Sequence, residues 1–238
     1  MFTSAQSRLL KELVNRYKAR VEPPRSWKQR TPDELWRRVL AQIIVVGNAA
    51  PGYLLERSGG AKEAVAVRRL NRYGRNRPRL QKHLHHVLRI LGTRYVGKDW
   101  RRDRKSQAAA ENYLILRNIG GPKRFFAGVA SLGDQEKRLR FLASRLKYYG
   151  SKGARDTLIE LKLATDCMAL DSRIVRLVTE VGVRLPRALG KDYDNIERAL
   201  ILEIARPCGL TGAQLDRVLF QNYDAILTDL KLGVGTPT

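Results

Sequence analysis

Lys152 and Asp171 are the two side chains whose type and setting offer chemistry. Lys152 leaves a tight glycine turn in Tyr149-Gly150-Ser151-Lys152-Gly153-Ala154-Arg155-Asp156, and Asp171 stands 19 positions later in Ala169-Leu170-Asp171-Ser172-Arg173. A lysine becomes a nucleophile only when it sheds its proton, which desolvation or neighbouring positive charge makes easier. Lys147 and Arg155, nearby in the sequence, can supply such charge. An aspartate that opens a helix is held ionised by the helix dipole and the unpaired N–H groups of the first turn. Each residue has a plainer reading alone, Lys152 as a surface lysine and Asp171 as an N-cap. As a pair they offer an amine nucleophile and a carboxylate to serve it.

Charge indicates the partner. The 238 residues carry 46 Lys plus Arg against 23 Asp plus Glu, a formal +23. That excess attracts a polyanion and makes binding salt-dependent; on charge alone a ribosome-associated or generally basic protein is the alternative. The stretch from Arg68 to Lys105 holds 14 basic residues against Asp99 and Asp103, so +12 of the total lies there, interleaved with Tyr73, Tyr95 and Trp100. A solvated charged face mixes both signs, whereas this one is nearly all positive, as a phosphate-tracking surface would be. There is no run of 18 apolar residues and no N-terminal signal pattern, so a soluble intracellular protein without a membrane partner is expected. Cys167 and Cys208 are too few for a four-cysteine iron–sulfur cluster or an all-cysteine zinc site, and read as small core residues. His83, His85 and His86 lack further ligands nearby, which favours a surface or phosphate-facing role over a metal. No metal or cofactor is expected.

The elements that must hold Lys152 and Asp171 are helices, and the fold class is all-α. Leu9, Leu10, Leu13 and Tyr17 mark an amphipathic helix closed by Pro23-Pro24. Thr31-Pro32-Asp33-Glu34 is a capped start for a buried helix over 35–46, ending at Gly47-Asn48. Further helices are expected over 83–91, 106–117 and 135–146, the last running through Lys147-Tyr148-Tyr149-Gly150 into a helix over 153–161. Two helices joined by a glycine hairpin form a helix–hairpin–helix unit at about 136–161. Such a hairpin exposes backbone N–H groups of Gly150, Ser151 and Gly153 that can bind a DNA phosphate without reading sequence. Asp171-Ser172 caps a helix bearing Ile174, Val175, Val178 and Val181; helices over 193–205 and 211–230 precede a glycine-rich tail.

The run from Leu146 to Val178 resembles the active-site signature of the helix–hairpin–helix DNA glycosylases, the superfamily of endonuclease III and the 8-oxoguanine glycosylases. Gly150-Ser151-Lys152-Gly153-Ala154 is similar to the hairpin with its lysine, and Leu170-Asp171-Ser172-Arg173-Ile174-Val175-Arg176-Leu177 to the aspartate segment. The 19-residue separation suits the 8-oxoguanine branch. Leu91-Gly92-Thr93-Arg94-Tyr95 and the helix after Arg104-Lys105 are similar to the middle of that fold, and the likeness extends over 31–230. Two departures stand out. Tyr148 occupies the position of the first hairpin glycine, and the iron–sulfur cysteines of the endonuclease III branch are absent.

The resemblance implies two helical subdomains, 1–33 with 168–238 and 34–167, flanking a DNA-binding cleft. It implies a compact member without the amino-terminal sheet domain of larger relatives. Lys152 becomes the nucleophile on C1′ of a flipped nucleotide and Asp171 its catalytic carboxylate, giving a bifunctional glycosylase and abasic-site lyase of base excision repair. The expected partner is double-stranded DNA containing a modified base, 8-oxoguanine first and a modified or mismatched pyrimidine second, bound by a cytoplasmic, nucleoid-associated monomer. Arg94, Lys105 and Arg155 are expected at the DNA backbone, although Arg155 has solvent as its alternative. Asn48 either fills the gap left by the flipped base or simply caps its helix, and Phe220 and Tyr223 are expected to pack in the core, with stacking on a base as the alternative. A helix–hairpin–helix DNA-binding protein without activity is the reading from a different class; it needs the hairpin but not the aspartate.

Overall fold

Short polar motifs set the helix starts in this computed structural model, which describes residues 1–186 and 189–232. Thr3 opens α1 (Ser4–Tyr17) with a capping box completed by Gln6, and Thr31 opens α2 (Pro32–Ile44) with one completed by Glu34. Each box satisfies N–H groups that a helix start otherwise leaves unpaired. The chain continues through α3 (Ala50–Arg57), α4 (Gly59–Ala64), α5 (Val67–Asn71), α6 (Arg77–Ile90) and α7 (Arg104–Asn118). Next come α8 (Pro122–Ser131), α9 (Gln135–Arg145) and α10 (Ser151–Glu160). Last are α11 (Ser172–Glu180), α12 (Tyr193–Ala199), α13 (Gly212–Gln221) and α14 (Tyr223–Lys231). Among the described residues every regular element is helical, and none is long and apolar enough to cross a membrane.

Several elements depart from the expectation. The short helices α3, α4 and α5 fill 50–71, where segments of five to eight residues are too brief to display a helical period. α8 was not among the helices expected; Pro122, which follows the glycines that end α7, stands at its first position. The helix expected over 193–205 is α-helical only to Ala199, then widens into a π-helical turn, Leu200–Ala205, ahead of Pro207, which has no N–H to give. The helix expected over 211–230 breaks at Asn222 into α13 and α14. The glycine-rich tail lies outside the described residues.

The chain forms two helical units, one of Met1–Pro24 with Leu158–Thr238, the other of Arg25–Thr157. The expected boundaries at 33/34 and 167/168 are thus displaced by about ten residues. Lys123 Nζ donates to the Trp27 and Lys28 carbonyls, which ties 25–33 to α8 in the second unit. Arg217 pairs with Glu160 at 2.5 Å and Ala213 N donates to Thr165 O, which ties 158–167 to α13 in the first.

In the unit of Arg25–Thr157, α2 buries Leu35, Trp36, Val39, Leu40, Ile43 and Ile44 completely. The alanines of α7 permit close approach, and the Trp36 and Tyr113 rings meet edge to face at 5.0 Å. In the other unit Leu10, Leu13 and Val14 of α1 share a core with Ile174, Leu177 and Val178 of α11 and Leu215, Val218 and Leu219 of α13. Each such buried aliphatic side chain contributes about 1.5–3 kcal/mol. Gly212 is required where α13 starts, since a Cβ there would lie 3.0 Å from Cys167 N and 2.9 Å from Ile201 Cδ1.

Candidate nucleic-acid interface and catalytic residues

α9 and α10 are joined by Leu146–Gly150, in which Leu146 and Tyr149 are buried while Lys147, Tyr148 and Gly150 are exposed. The turn is held at two points. Buried Asn112 of α7 accepts from Lys147 N at 2.7 Å and donates to Lys147 O at 3.0 Å, so one amide side chain pairs both backbone groups. Behind it, Thr157 Oγ1 donates to the Tyr149 hydroxyl at 3.3 Å, and burial drives the Tyr149 phenol well above its ordinary pKa. Between these anchors Tyr148 takes φ +63°, the left-handed region that glycine adopts freely and other residues avoid. The substitution at the first hairpin glycine therefore leaves the turn's backbone conformation glycine-like. Its ring is 40% exposed.

Lys152 follows in the first turn of α10, beside the exposed residues Gly150 and Ser151. Its side chain is 41% exposed, with Nζ 3.9 Å from Asp156 Oδ2. That oxygen is bound more closely by Arg38 Nη2 at 2.7 Å and Gln42 Nε2 at 2.6 Å, both on α2. Burial works against ionisation of Asp156, but Arg38, Lys152 and Gln42 outweigh it and hold the carboxyl below its ordinary range. Gly153 faces inward, and a Cβ there would stand 3.0 Å from Gln42 Oε1. Its lack of a side chain serves close packing of α10 on α2.

Asn48 is exposed in the loop after α2, and its Oδ1 accepts from Ala50 N at 3.0 Å. It braces the entry to α3, whereas the C-cap of α2 is Val45 and the left-handed residue is Gly47 at φ +87°. The loop is held from below. Arg94 Nη1 donates to Gly47 O at 2.9 Å, Lys105 Nζ donates to Val46 O at 3.0 Å, and the Tyr95 ring lies against Gly47. Lys105 is only 2% exposed, and burial lowers its pKa with Asp103 opposing. It is a support of the Asn48 loop and not a surface contact for DNA. Arg155 is corrected likewise: it is buried, with Nη1 donating to Ser151 O at 3.4 Å. The other 13 basic residues between Arg68 and Arg104 are exposed and make this a positive surface. On α6, Arg79, Lys82, His86 and Arg89 recur at helical spacing on the solvent side. His83 and His85 instead bond inward to the Ala64 and Gly97 carbonyls at 2.7 and 2.8 Å, so neither is phosphate-facing.

Asp171 belongs to the other unit. It is the N-cap of α11, with Oδ1 accepting from Arg173 N and Ile174 N at 3.0 Å each, while Oδ2 has no hydrogen-bond partner among the described residues. The non-helical segment before it is bonded by three buried side chains that the sequence reading did not single out. Glu197 Oε1 accepts from Met168 N at 2.8 Å, Asp216 Oδ1 from Ala169 N at 2.6 Å, and the Tyr193 hydroxyl from Leu170 N at 2.7 Å. A signal for two of them was available, because Glu197 and Asp216 are carboxylates on otherwise apolar helix faces. Beyond the cap, the Arg173 guanidinium lies over the Phe220 and Tyr223 rings at 5.0 and 5.6 Å. Phe220 is 41% exposed, so it is a surface ring and not the core residue expected.

These features define an all-helical protein with a helix–hairpin–helix, a lysine at the exit of its turn and a separately braced capping aspartate. Solved structures share that fold. The 8-oxoguanine DNA glycosylase of Methanocaldococcus jannaschii superposes with a TM-score of 0.60 over 90% of this chain and 91% of its own, at 20% identity. That of Thermotoga maritima gives 0.60 over 90% and 95%, at 22% identity. The M. jannaschii 8-oxoguanine glycosylase/lyase in complex with 15mer DNA containing 8-oxoguanine gives 0.55 over 91% and 90%, at 18% identity. At such identities the likeness is one of fold. A scan against family models matches none, and neither does a search of curated proteins.

Proposed function

We propose that this protein is a DNA glycosylase with abasic-site lyase activity, acting on duplex DNA that contains a modified base, 8-oxoguanine foremost. The observation that carries the reading is the coexistence of Lys152 at the hairpin exit and Asp171 at a braced helix cap, on the fold of 8-oxoguanine DNA glycosylases. A DNA-binding module needs the hairpin alone; the braced aspartate with a free oxygen favours chemistry.

The target nucleotide leaves the stack so that C1′ becomes accessible. Neutral Lys152 Nζ attacks C1′; the C1′–N bond breaks, its electron pair departs with the base, and the base takes up a proton. Asp171 stabilises the positive charge that develops on the sugar and relays the proton that Nζ loses. Opening of the sugar ring yields a Schiff base, and loss of a C2′ proton then expels the 3′ phosphate. Backbone N–H groups of Gly150 and Ser151 hold a phosphate, Asn48 fills the vacated stack, and the exposed arginines and lysines of 68–104 hold the strand.

Incubation with duplexes carrying 8-oxoguanine, thymine glycol, uracil or an abasic site, followed by borohydride, tests this. A covalent protein–DNA adduct is expected, abolished in Lys152→Gln and greatly weakened in Asp171→Asn. Tight DNA binding with no adduct on any of these substrates would leave a non-catalytic binding protein.

A further inference from the structure

Met168, Ala169 and Leu170 are three successive residues outside any helix or sheet that could pair their N–H groups. All three groups are nevertheless bonded, each by a different buried side chain: Glu197 on α12, Asp216 on α13 and Tyr193 at the start of α12. Those side chains are 7%, 7% and 8% exposed. The Tyr193 hydroxyl serves twice, accepting from Leu170 N at 2.7 Å and donating to Met168 O at 3.0 Å.

We infer that Tyr193, Glu197 and Asp216 are positioning residues for Asp171, fixing the carboxylate by fixing the backbone that leads to it. This rests on the glycosylase reading given above. Burying two carboxylates is costly unless they are bonded, and here each bond also satisfies a buried N–H group that no helix or sheet pairs. What the polar set provides is direction. An apolar contact leaves such a segment free to slide, whereas a hydrogen bond to each successive N–H fixes its register and rotation. Leu170 joins directly to Asp171, whose Oδ1 is in turn fixed by two N–H groups of α11. Oδ2 is thereby presented in one orientation, and catalytic groups lose rate steeply when displaced by a fraction of an ångström.

Tyr193→Phe is the discriminating variant, because it removes one oxygen and keeps the ring in the core. With wild type shown active by borohydride trapping, the expectation is a single-turnover excision rate at least tenfold lower. Dissociation constants for undamaged and abasic-analogue duplexes should remain within twofold; the melting temperature falls, because Leu170 N and Met168 O lose their partner, so rates are compared well below it, where both proteins are folded. Asp216→Asn keeps an acceptor for Ala169 N and is expected to retain most of the rate, whereas Asp216→Leu loses it. Equal rates for Tyr193→Phe and wild type would overturn the inference while leaving the glycosylase reading intact. So would a loss in Asp216→Asn as large as in Asp216→Leu, since charge and not the bond would then be the cause. An inactive wild type would instead overturn the glycosylase reading.

Discussion

Asp156 and Lys152 show how one side chain can be charged for structural reasons beside another that stays partly exposed. Asp156 is bonded to α2 by Arg38 and Gln42, and Lys152 lies at the edge of that cluster at 3.9 Å. Because its carboxyl is held below the ordinary range, ionised Asp156 stabilises the fold above the unfolded-state pKa of about 3.9, and that stability is lost as pH falls towards the folded value. The melting temperature of Asp156→Asn should therefore fall furthest below wild type near neutral pH, with the gap closing as acid is added below about pH 4. A gap that persists unchanged to pH 2 would show that packing, not charge, is what the variant loses. Lys152 and Asp171 were legible in the sequence because each is defined by its nearest neighbours, a glycine turn and a helix start. Lys105 was not: composition counts a positive charge, but only the tertiary structure buries it beneath Val46.

At the level of elements, the hairpin is a turn whose sequence preference is overruled from outside. Tyr148 costs about 1–2 kcal/mol in the left-handed region, and the Asn112 clamp on Lys147 maintains it there. Tyr148→Gly should relieve that cost and raise stability by about 1 kcal/mol, read by denaturant unfolding. Asn112→Ala should lower it by about 1–3 kcal/mol, because Lys147 loses partners for both backbone groups. If Tyr148→Gly is the less stable protein, ring packing outweighs backbone strain and the account of the turn is wrong. The long helices were legible from their periods and caps, and the hairpin from its glycine. Asn112 acts across 35 residues, and Tyr193, Glu197 and Asp216 act across 23 to 47, separations at which a local pattern carries no trace of its partner.

For the whole molecule, +12 of the net +23 lies between Arg68 and Lys105, where 13 of the 14 basic residues are exposed. Arg79, Lys82 and Arg89 on α6 stand on one side of a helix with no acidic residue. Replacing all three with glutamine should weaken binding to undamaged duplex and reduce the slope of log K against log salt by about 2–3, if each meets a phosphate. Trapping on a bound substrate should be unaffected. An unchanged slope would place the duplex away from α6. Fold class followed directly from the helical periods, whereas the unit boundaries came out about ten residues away, because Lys123 and Arg217 draw the connecting segments to partners far along the chain.

The division into units also orders events during synthesis. Arg25–Thr157 is continuous and can fold as it emerges, but α1 belongs with helices that are made only after residue 157. At about 5–20 residues per second, Leu10, Leu13 and Val14 remain uncovered for on the order of ten seconds before α11 and α13 reach them. The apolar face of α1 thus waits on the nascent chain for helices made much later. The support for Asp171 is completed only when Asp216 has been added, so the unit bearing Lys152 is synthesised in full well before the unit bearing Asp171.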